Sequence, residues 1–181
     1  MICILLADGF EEAEALVPCD MLRRAGFDAV LCGITAGVIT GAHGIRIEPD
    51  INIADISLPQ IEAVILPGGM PGASNIDECP DTDRILQYVA DKNLIIGAIC
   101  AAPFILGKRG LLHGRAATCF PSFEKYLEGA IVKTDSVVCD KNIITAKAAG
   151  SAFDFAFELI SALKDSRCSA EIRQGIFYEK Y

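Results

Sequence analysis

Tryptophan is absent, and histidine occurs only at His43 and His113. With so few imidazoles and no Cys-x-x-Cys pair, the usual zinc frameworks are excluded. A cysteine hydrolase that relies on a histidine base has only two places to find one. Basic residues are also scarce. Sixteen Lys and Arg against 24 Asp and Glu give a formal net charge of -8, and the pI of about 4.7 argues against nucleic acid and anionic membranes as partners. No apolar run reaches the length that spans a bilayer. Residues 1–7 are apolar, but no basic stretch precedes them and Asp8 interrupts them, so no secretory leader is expected. Repeats, linkers and low-complexity segments are missing, and one domain over residues 1–181 is expected.

Apolar residues are plentiful, at 52% with a mean hydropathy of +0.39, which is core-rich for a soluble chain. Cysteine is also abundant, at Cys3, Cys19, Cys32, Cys79, Cys100, Cys119, Cys139 and Cys168. These are scattered, mostly inside apolar segments, which suits reduced thiols in a cytoplasm better than a disulfide framework.

The chain is organised around Leu94-Ile95-Ile96-Gly97-Ala98-Ile99-Cys100-Ala101-Ala102-Pro103. An apolar, β-branched run predicts a fully buried strand. Good helix formers follow immediately over residues 101–108. A strand that breaks into a helix at a nucleophile is a nucleophile elbow, and its sharpness demands small residues two before and two after. Ala98 and Ala102 meet that demand. The elbow would place Cys100 at a helix N-terminus, where amides and the helix dipole favour a thiolate. The plainer alternative is a core cysteine in an ordinary strand.

Around it the pattern alternates strand and helix. Residues 2–7 predict a strand, 11–25 a helix that Pro18 should kink or break, and 28–32 a second strand. This βαβ opening implies a parallel sheet. Residues 33–47 suggest a hairpin, and 48–60 a polar, irregular stretch. Residues 63–66 form a strand ending in Pro67-Gly68-Gly69-Met70-Pro71-Gly72, which lacks the P-loop GxxxxGK[ST] pattern. Helices are predicted over 80–92, 123–127, 150–163 and 168–176, and short strands over 115–118, 130–132, 136–139 and 143–146.

Three strand ends then share the carboxyl edge of the sheet: Gly9-Phe10-Glu11-Glu12-Ala13-Glu14, Pro67-Gly68-Gly69, and Cys100. Amides of Gly69 and Ala101 would form an oxyanion hole beside the thiol. A Glu14 carboxyl pressed into the same crevice would have its pKa raised and act as a donor to sulfur or a proton shuttle. The alternative for Glu14 is an ordinary first-turn acid, which is the preferred reading for Glu11 and Glu12. His113 reads as a solvated turn residue. His43 would reach the crevice or simply occupy its turn, and Cys119 would pack with some pocket contact.

Taken together in this order and spacing, Ala7-Asp8-Gly9-Phe10-Glu11-Glu12-Ala13-Glu14, Leu66-Pro67-Gly68-Gly69-Met70-Pro71-Gly72-Ala73, Ile96-Gly97-Ala98-Ile99-Cys100-Ala101-Ala102-Pro103 and Thr145-Ala146-Lys147-Ala148-Ala149-Gly150-Ser151-Ala152-Phe153 resemble the ThiJ/PfpI superfamily. The similarity is to the branch of the Parkinson-linked protein deglycase and its bacterial ThiJ/YajL relatives, over nearly the whole chain. It implies an α/β, flavodoxin-like three-layer sandwich with a mostly parallel sheet, and a homodimer. It also implies an oxidisable Cys100, a Glu14 bonded to it, oxyanion amides at Gly69 and Ala101, and a pocket lined by Gly68, Cys119, Phe120 and His43. No cofactor and no metal are expected. The implied activities are cofactor-free glyoxalase or deglycase chemistry on small reactive carbonyls, or redox sensing and chaperoning. Older naming adds a thiamine-biosynthesis role. Ala101 stands where the protease branch has a histidine, which points away from peptidase activity. Phe120 stands where the Parkinson-linked relative has a pocket histidine, and His43 where it has an arginine.

Overall fold

The computed structural model describes residues 1–179. Its elements run β1 (Ile2–Leu6), α1 (Glu12–Arg24), β2 (Ala29–Gly33), β3 (Ile39–Thr40), β4 (Arg46–Ile47), β5 (Ile51–Asn52), β6 (Ala63–Leu66), α2 (Gly72–Glu78), α3 (Pro80–Asp91), β7 (Ile95–Ile99), α4 (Pro103–Lys108), β8 (Ala116–Ala117), β9 (Ile131–Val132), β10 (Val137–Asp140), β11 (Ile143–Ala146), α5 (Ala152–Leu163) and α6 (Ser166–Gly175), with short 3-10 turns between some of them.

Seven strands form one sheet in the order β10-β11-β7-β6-β1-β2-β5. All neighbours are parallel except the β10–β11 pair. Strand alternation divides the core in two. Cys3 and Leu5 of β1, Val64 and Leu66 of β6, and Ile96 and Ala98 of β7 pack with Ile76 of α2, Ile85, Leu86 and Val89 of α3, and Ile105 and Leu106 of α4. Ile2, Ile4, Leu6, Ala63, Ile65 and Ile99 face the other way, against Ala15, Cys19 and Leu22 of α1, Phe155, Phe157 and Ile160 of α5, and Cys168 of α6. Helices thus cover both faces of a mostly parallel sheet, the expected flavodoxin-like sandwich. No described helix is long and apolar enough to cross a membrane, and all eight cysteines are free thiols.

Several elements depart from expectation. α1 continues through Pro18 without a break. Proline removes an amide that would have bonded the Glu14 carbonyl, but packing of Ala15, Cys19 and Leu22 against α5 holds the helix together. The stretch after residue 48 is not wholly irregular, since β5 pairs Ile51 and Asn52 with Cys32 and Gly33 at the sheet edge. α2 is an additional helix immediately after the glycine turn. β8 and β9 form a separate small parallel pair, and the predicted hairpin is β3 with β4. α4 starts at Pro103, two residues later than expected, with Pro at a first-turn position where its missing N–H costs nothing.

Candidate active site

β7, β6 and β1 are neighbours in the sheet, so their carboxyl ends stand side by side. β7 ends at Cys100, β6 at Pro67-Gly68-Gly69, and β1 in the turn that opens α1. Cys100 sits at φ +64, a left-handed conformation that is rare for a side chain with a Cβ and that a nucleophile elbow requires. The strained residue is pinned on both sides. Its N–H donates to the Ala146 carbonyl at 2.9 Å, and its own carbonyl accepts from Phe120 N–H at 2.7 Å.

The residues around the sulfur are brought close by glycine. A methyl at Gly68 would lie 2.7 Å from the Cys100 Cβ, 2.7 Å from Glu14 Oε2 and 3.0 Å from the Ala101 nitrogen. Gly69 takes φ +83, and its N–H bonds toward Cys100. The amides of Ala101 and Gly69 both bond toward the thiol and favour its anion. Because α4 has only six residues and begins at Pro103, these two amides, rather than a long helix dipole, supply the positive field.

Glu14 is buried, at 1% exposure. Its Oε2 accepts the Gly68 N–H at 2.9 Å, while its Oε1 is buried with no conventional hydrogen-bond partner. Burial pushes the Glu14 carboxyl up to about 7 against the hydrogen bonds it makes with Cys100 and Gly68, and the nearby Glu11 charge adds to the rise. Burial pushes the Cys100 thiol up to about 12, with the Glu14 charge and hydrogen bond adding to it. The expected lowering of the cysteine pKa is therefore not found. The two groups together carry at most one negative charge up to high pH, gained as Glu14 ionises near 7, because a second charge in a dry crevice is costly. The proton that remains above pH 7 stays on sulfur, and directed at Oε1 it gives the orphaned oxygen a partner.

Of the remaining candidates Phe120 is tied to the elbow through its N–H, whereas Cys119 and His43 make other contacts. Cys119 is buried among the core residues, and burial raises its thiol to about 11 with help from the Glu124 charge. Phe120 is 42% exposed. His43 is bound to Glu12: its N–H donates to Glu12 Oε1 at 2.8 Å, and its Nδ1 lies 2.9 Å from Oε2. Glu12 also accepts the Ile45 N–H at 3.4 Å. Glu12 is thus a buried bolt between α1 and the β3–β4 hairpin, a role its first-turn position did not reveal. Glu11, Glu12 and His43 bring ligand-type atoms within 4.8 Å of one another, but the Glu12 oxygens are already engaged by the hairpin.

Burial disfavours ionisation of Glu12, but hydrogen bonds from the His43 ring and from amides outweigh it and hold the carboxyl below its ordinary value. With the folded value below the unfolded one, the contribution is present above the ordinary 4.5 and is lost as pH falls through the folded value. Glu12→Ala should cost about 1–3 kcal/mol at neutral pH by leaving buried amides unpaired. Urea unfolding at neutral and at low pH should show the difference shrinking on acidification.

A strained cysteine at the strand-to-helix turn, a buried carboxyl against its sulfur and two amides beside it thus meet at the carboxyl edge of a mostly parallel α/β sheet. The sequence signature of the DJ-1/PfpI family matches residues 1–162, and the chain belongs to that family. It is similar to Protein dj-1beta of Drosophila melanogaster, with 31% identity over 176 residues, covering 96% of this chain and 94% of that protein. It is also similar to Glutathione-independent glyoxalase DJR-1.2 of Caenorhabditis elegans, with 33% identity over 162 residues, covering 89% and 87%. Among solved structures, oxidised Toxoplasma gondii DJ-1 superposes with a TM-score of 0.94 at 27% identity, covering 99% of this chain and 98% of that one.

Proposed function

We propose that this protein is a cofactor-independent enzyme of the glyoxalase or deglycase type, acting on 2-oxoaldehydes or their adducts through Cys100 and Glu14. The observation that carries the reading is the contact of a buried carboxyl, titrating near 7, with a sulfur that also faces two amides. A similar worm protein bears a glyoxalase name. In the first step the thiol adds across the aldehyde. A C–S bond forms, the carbonyl π electrons move to oxygen, and the thiol proton passes to that oxygen. The Gly69 and Ala101 amides hold the oxyanion as it develops. Glu14, as carboxylate, removes the proton from the former aldehyde carbon, and the C–H electron pair forms an enediolate with the adjacent carbonyl. Glu14 then returns that proton to the adjacent carbon, while the hydroxyl proton of the first carbon passes to the neighbouring oxygen. The first carbon is thereby oxidised to a thioester and the second reduced to an alcohol. Water hydrolyses the thioester to a 2-hydroxy acid and restores the thiol. A carboxyl with a value near the operating pH serves both as acceptor and as donor in this sequence.

Purified protein should convert methylglyoxal to lactate without glutathione, and Cys100→Ser should lower that rate by at least about 100-fold. Equal rates for the two proteins would remove the sulfur from the mechanism.

A second reading rests on the buried, unpartnered Oε1, which would donate to an oxygen of a sulfenic or sulfinic Cys100 and so favour redox sensing. Absence of turnover, with mass gained on Cys100 under mild peroxide, would select it. The compartment proposed is the cytoplasm, where eight unpaired thiols persist. The proposed assembly is a homodimer, through α1 and the hairpin that leaves Val38 47% and Ile45 50% exposed. Light scattering at micromolar concentration should give twice the 19.3 kDa chain mass, and a monomer mass would refute it.

A further inference from the structure

Beside the elbow lies a cleft of about 270 Å³ bounded by Met70, Ser74, Phe104, Phe123 and Tyr126. Its wall is aromatic. The Phe104 ring lies 6.5 Å from Phe123 and 6.4 Å from Tyr126, and Phe123 lies 5.6 Å from Tyr126. Phe120 extends the wall, 6.5 Å from Phe123 in an edge-on arrangement. Met70, Phe120 and Tyr126 are 51%, 42% and 45% exposed. Large apolar side chains held in water around one hollow mark a binding surface rather than core.

Two lining residues tie the cleft to the nucleophile along the chain, and Phe120, next to lining residue Phe123, adds a third link. Met70 directly follows Gly69, whose amide faces the sulfur. Phe104 stands in the first turn of α4, just beyond the elbow. Phe120 donates its N–H to the Cys100 carbonyl. The polar groups of the lining are few: Ser74 Oγ approaches Met70 Sδ at 3.8 Å, and Tyr126 brings its hydroxyl. The Lys125 ammonium lies over the outer Tyr126 ring, 4.8 Å from its centre.

We propose that this cleft is a subsite for the apolar substituent of the carbonyl compound that reacts at Cys100, so that aryl 2-oxoaldehydes are preferred to methylglyoxal. The proposal rests on the enzymatic reading above and gives it a substrate class. A cavity of roughly 150 Å³ lined by aliphatic and aromatic groups already holds a benzene ring, so a phenyl group fits here with room to spare. Edge and face contacts with three rings favour an aromatic substituent over a branched alkyl one.

Two measurements on wild type, Met70→Asp and Phe123→Ala test this, the first variant changing a half-exposed residue that the fold does not bury. The first compares kcat/KM for phenylglyoxal and methylglyoxal. The wild-type ratio should exceed that of either variant by roughly tenfold or more, the discrimination that one apolar contact supplies. The second does not depend on turnover. It compares alkylation of Cys100 by iodoacetanilide and by iodoacetamide, with exposed Cys139 as the internal reference. The phenyl reagent should be favoured at Cys100 over Cys139 by roughly tenfold, and the preference should vanish in both variants. An equal ratio at the two cysteines, or a preference that survives in both variants, overturns the subsite. If neither aldehyde is turned over, the substrate assignment and the enzymatic reading fall, and the labelling ratio still decides whether an apolar subsite adjoins Cys100.

Discussion

Replacing Glu14 with glutamine is expected to lower 2-oxoaldehyde turnover by roughly 100- to 10,000-fold while Cys100 remains open to alkylation and the fold stays intact. The amide reproduces the static contacts: its oxygen accepts the Gly68 N–H that now bonds Glu14 Oε2, and its nitrogen donates to sulfur. It takes up no proton from carbon, so the transfer between adjacent carbons is lost. The pH profile should change too. Proton abstraction needs the carboxylate, and Glu14 titrates at about 7, so wild-type kcat/KM should rise through that value and residual activity of Glu14→Gln should not. Stability gives an independent readout. A folded value above the ordinary 4.5 means that the neutral carboxyl is the favoured native form. The Glu14 contribution to stability is therefore fully present below about 4.5 and declines as pH rises toward 7, by roughly 3 kcal/mol in all. Glu14→Gln should lack that decline. Glu14→Asp, shorter by one methylene, should lose the Gly68 bond and fall in activity with it. Equal turnover in wild type and Glu14→Gln would leave Glu14 a structural acid.

The parts of this fold written as unbroken apolar runs are legible in the sequence, and the parts written by tertiary contact are not. β1, β6 and β7 are buried on both faces, so nearly every residue is apolar and the run announces itself. α2 gives no such signal. Its seven residues bury only Ala73 and Ile76 among the apolar types, too few to show a period. It forms because Ala73 N–H reaches Gly69 O and because Asn75 Nδ2 bonds Asp8 O across the sheet edge. β5 is two residues held by the neighbouring strand. Pro18 gave a correct local warning that packing overrules: a proline costs about 3 kcal/mol inside a helix, and the contacts of α1 with α5 exceed it.

The candidate site divides in the same way. The small-x-Cys-x-small pattern states a backbone requirement, and φ +64 at Cys100 is that requirement met. Glu14 stands two residues from Glu12, both acids lie in the first turns of α1, and both are buried, yet nothing local tells them apart. One points to the sulfur and the other to the hairpin amides, because residues 41–45 and 68–69 arrive from distant parts of the chain. The cysteine pKa was also hidden. A helix start suggests a lowered value, but burial and the facing carboxyl raise it, and neither can be read along the chain.

Gly68→Ala is expected to abolish turnover in a protein that still folds. Unlike Gly69, whose φ of +83 excludes most side chains, Gly68 has a backbone that any residue adopts. The obstacle is space. The added methyl would come within 2.7 Å of both the Cys100 Cβ and Glu14 Oε2, well inside contact distance, and it projects between the two groups whose contact the mechanism needs. Relief requires Glu14 to retreat or the elbow to shift, and the elbow is fixed through Ala146 and Phe120. Glu14 is therefore the group that moves. Overpacking of this kind costs about 1–3 kcal/mol, which a domain of this size tolerates. A displacement of about 1 Å between reacting groups costs roughly 100-fold in rate. Circular dichroism should show a native spectrum with a modestly lowered Tm, methylglyoxal turnover should fall at least that far, and the rise of kcat/KM near pH 7 should disappear. Turnover within threefold of wild type in Gly68→Ala would mean that the carboxyl and the thiol work without touching.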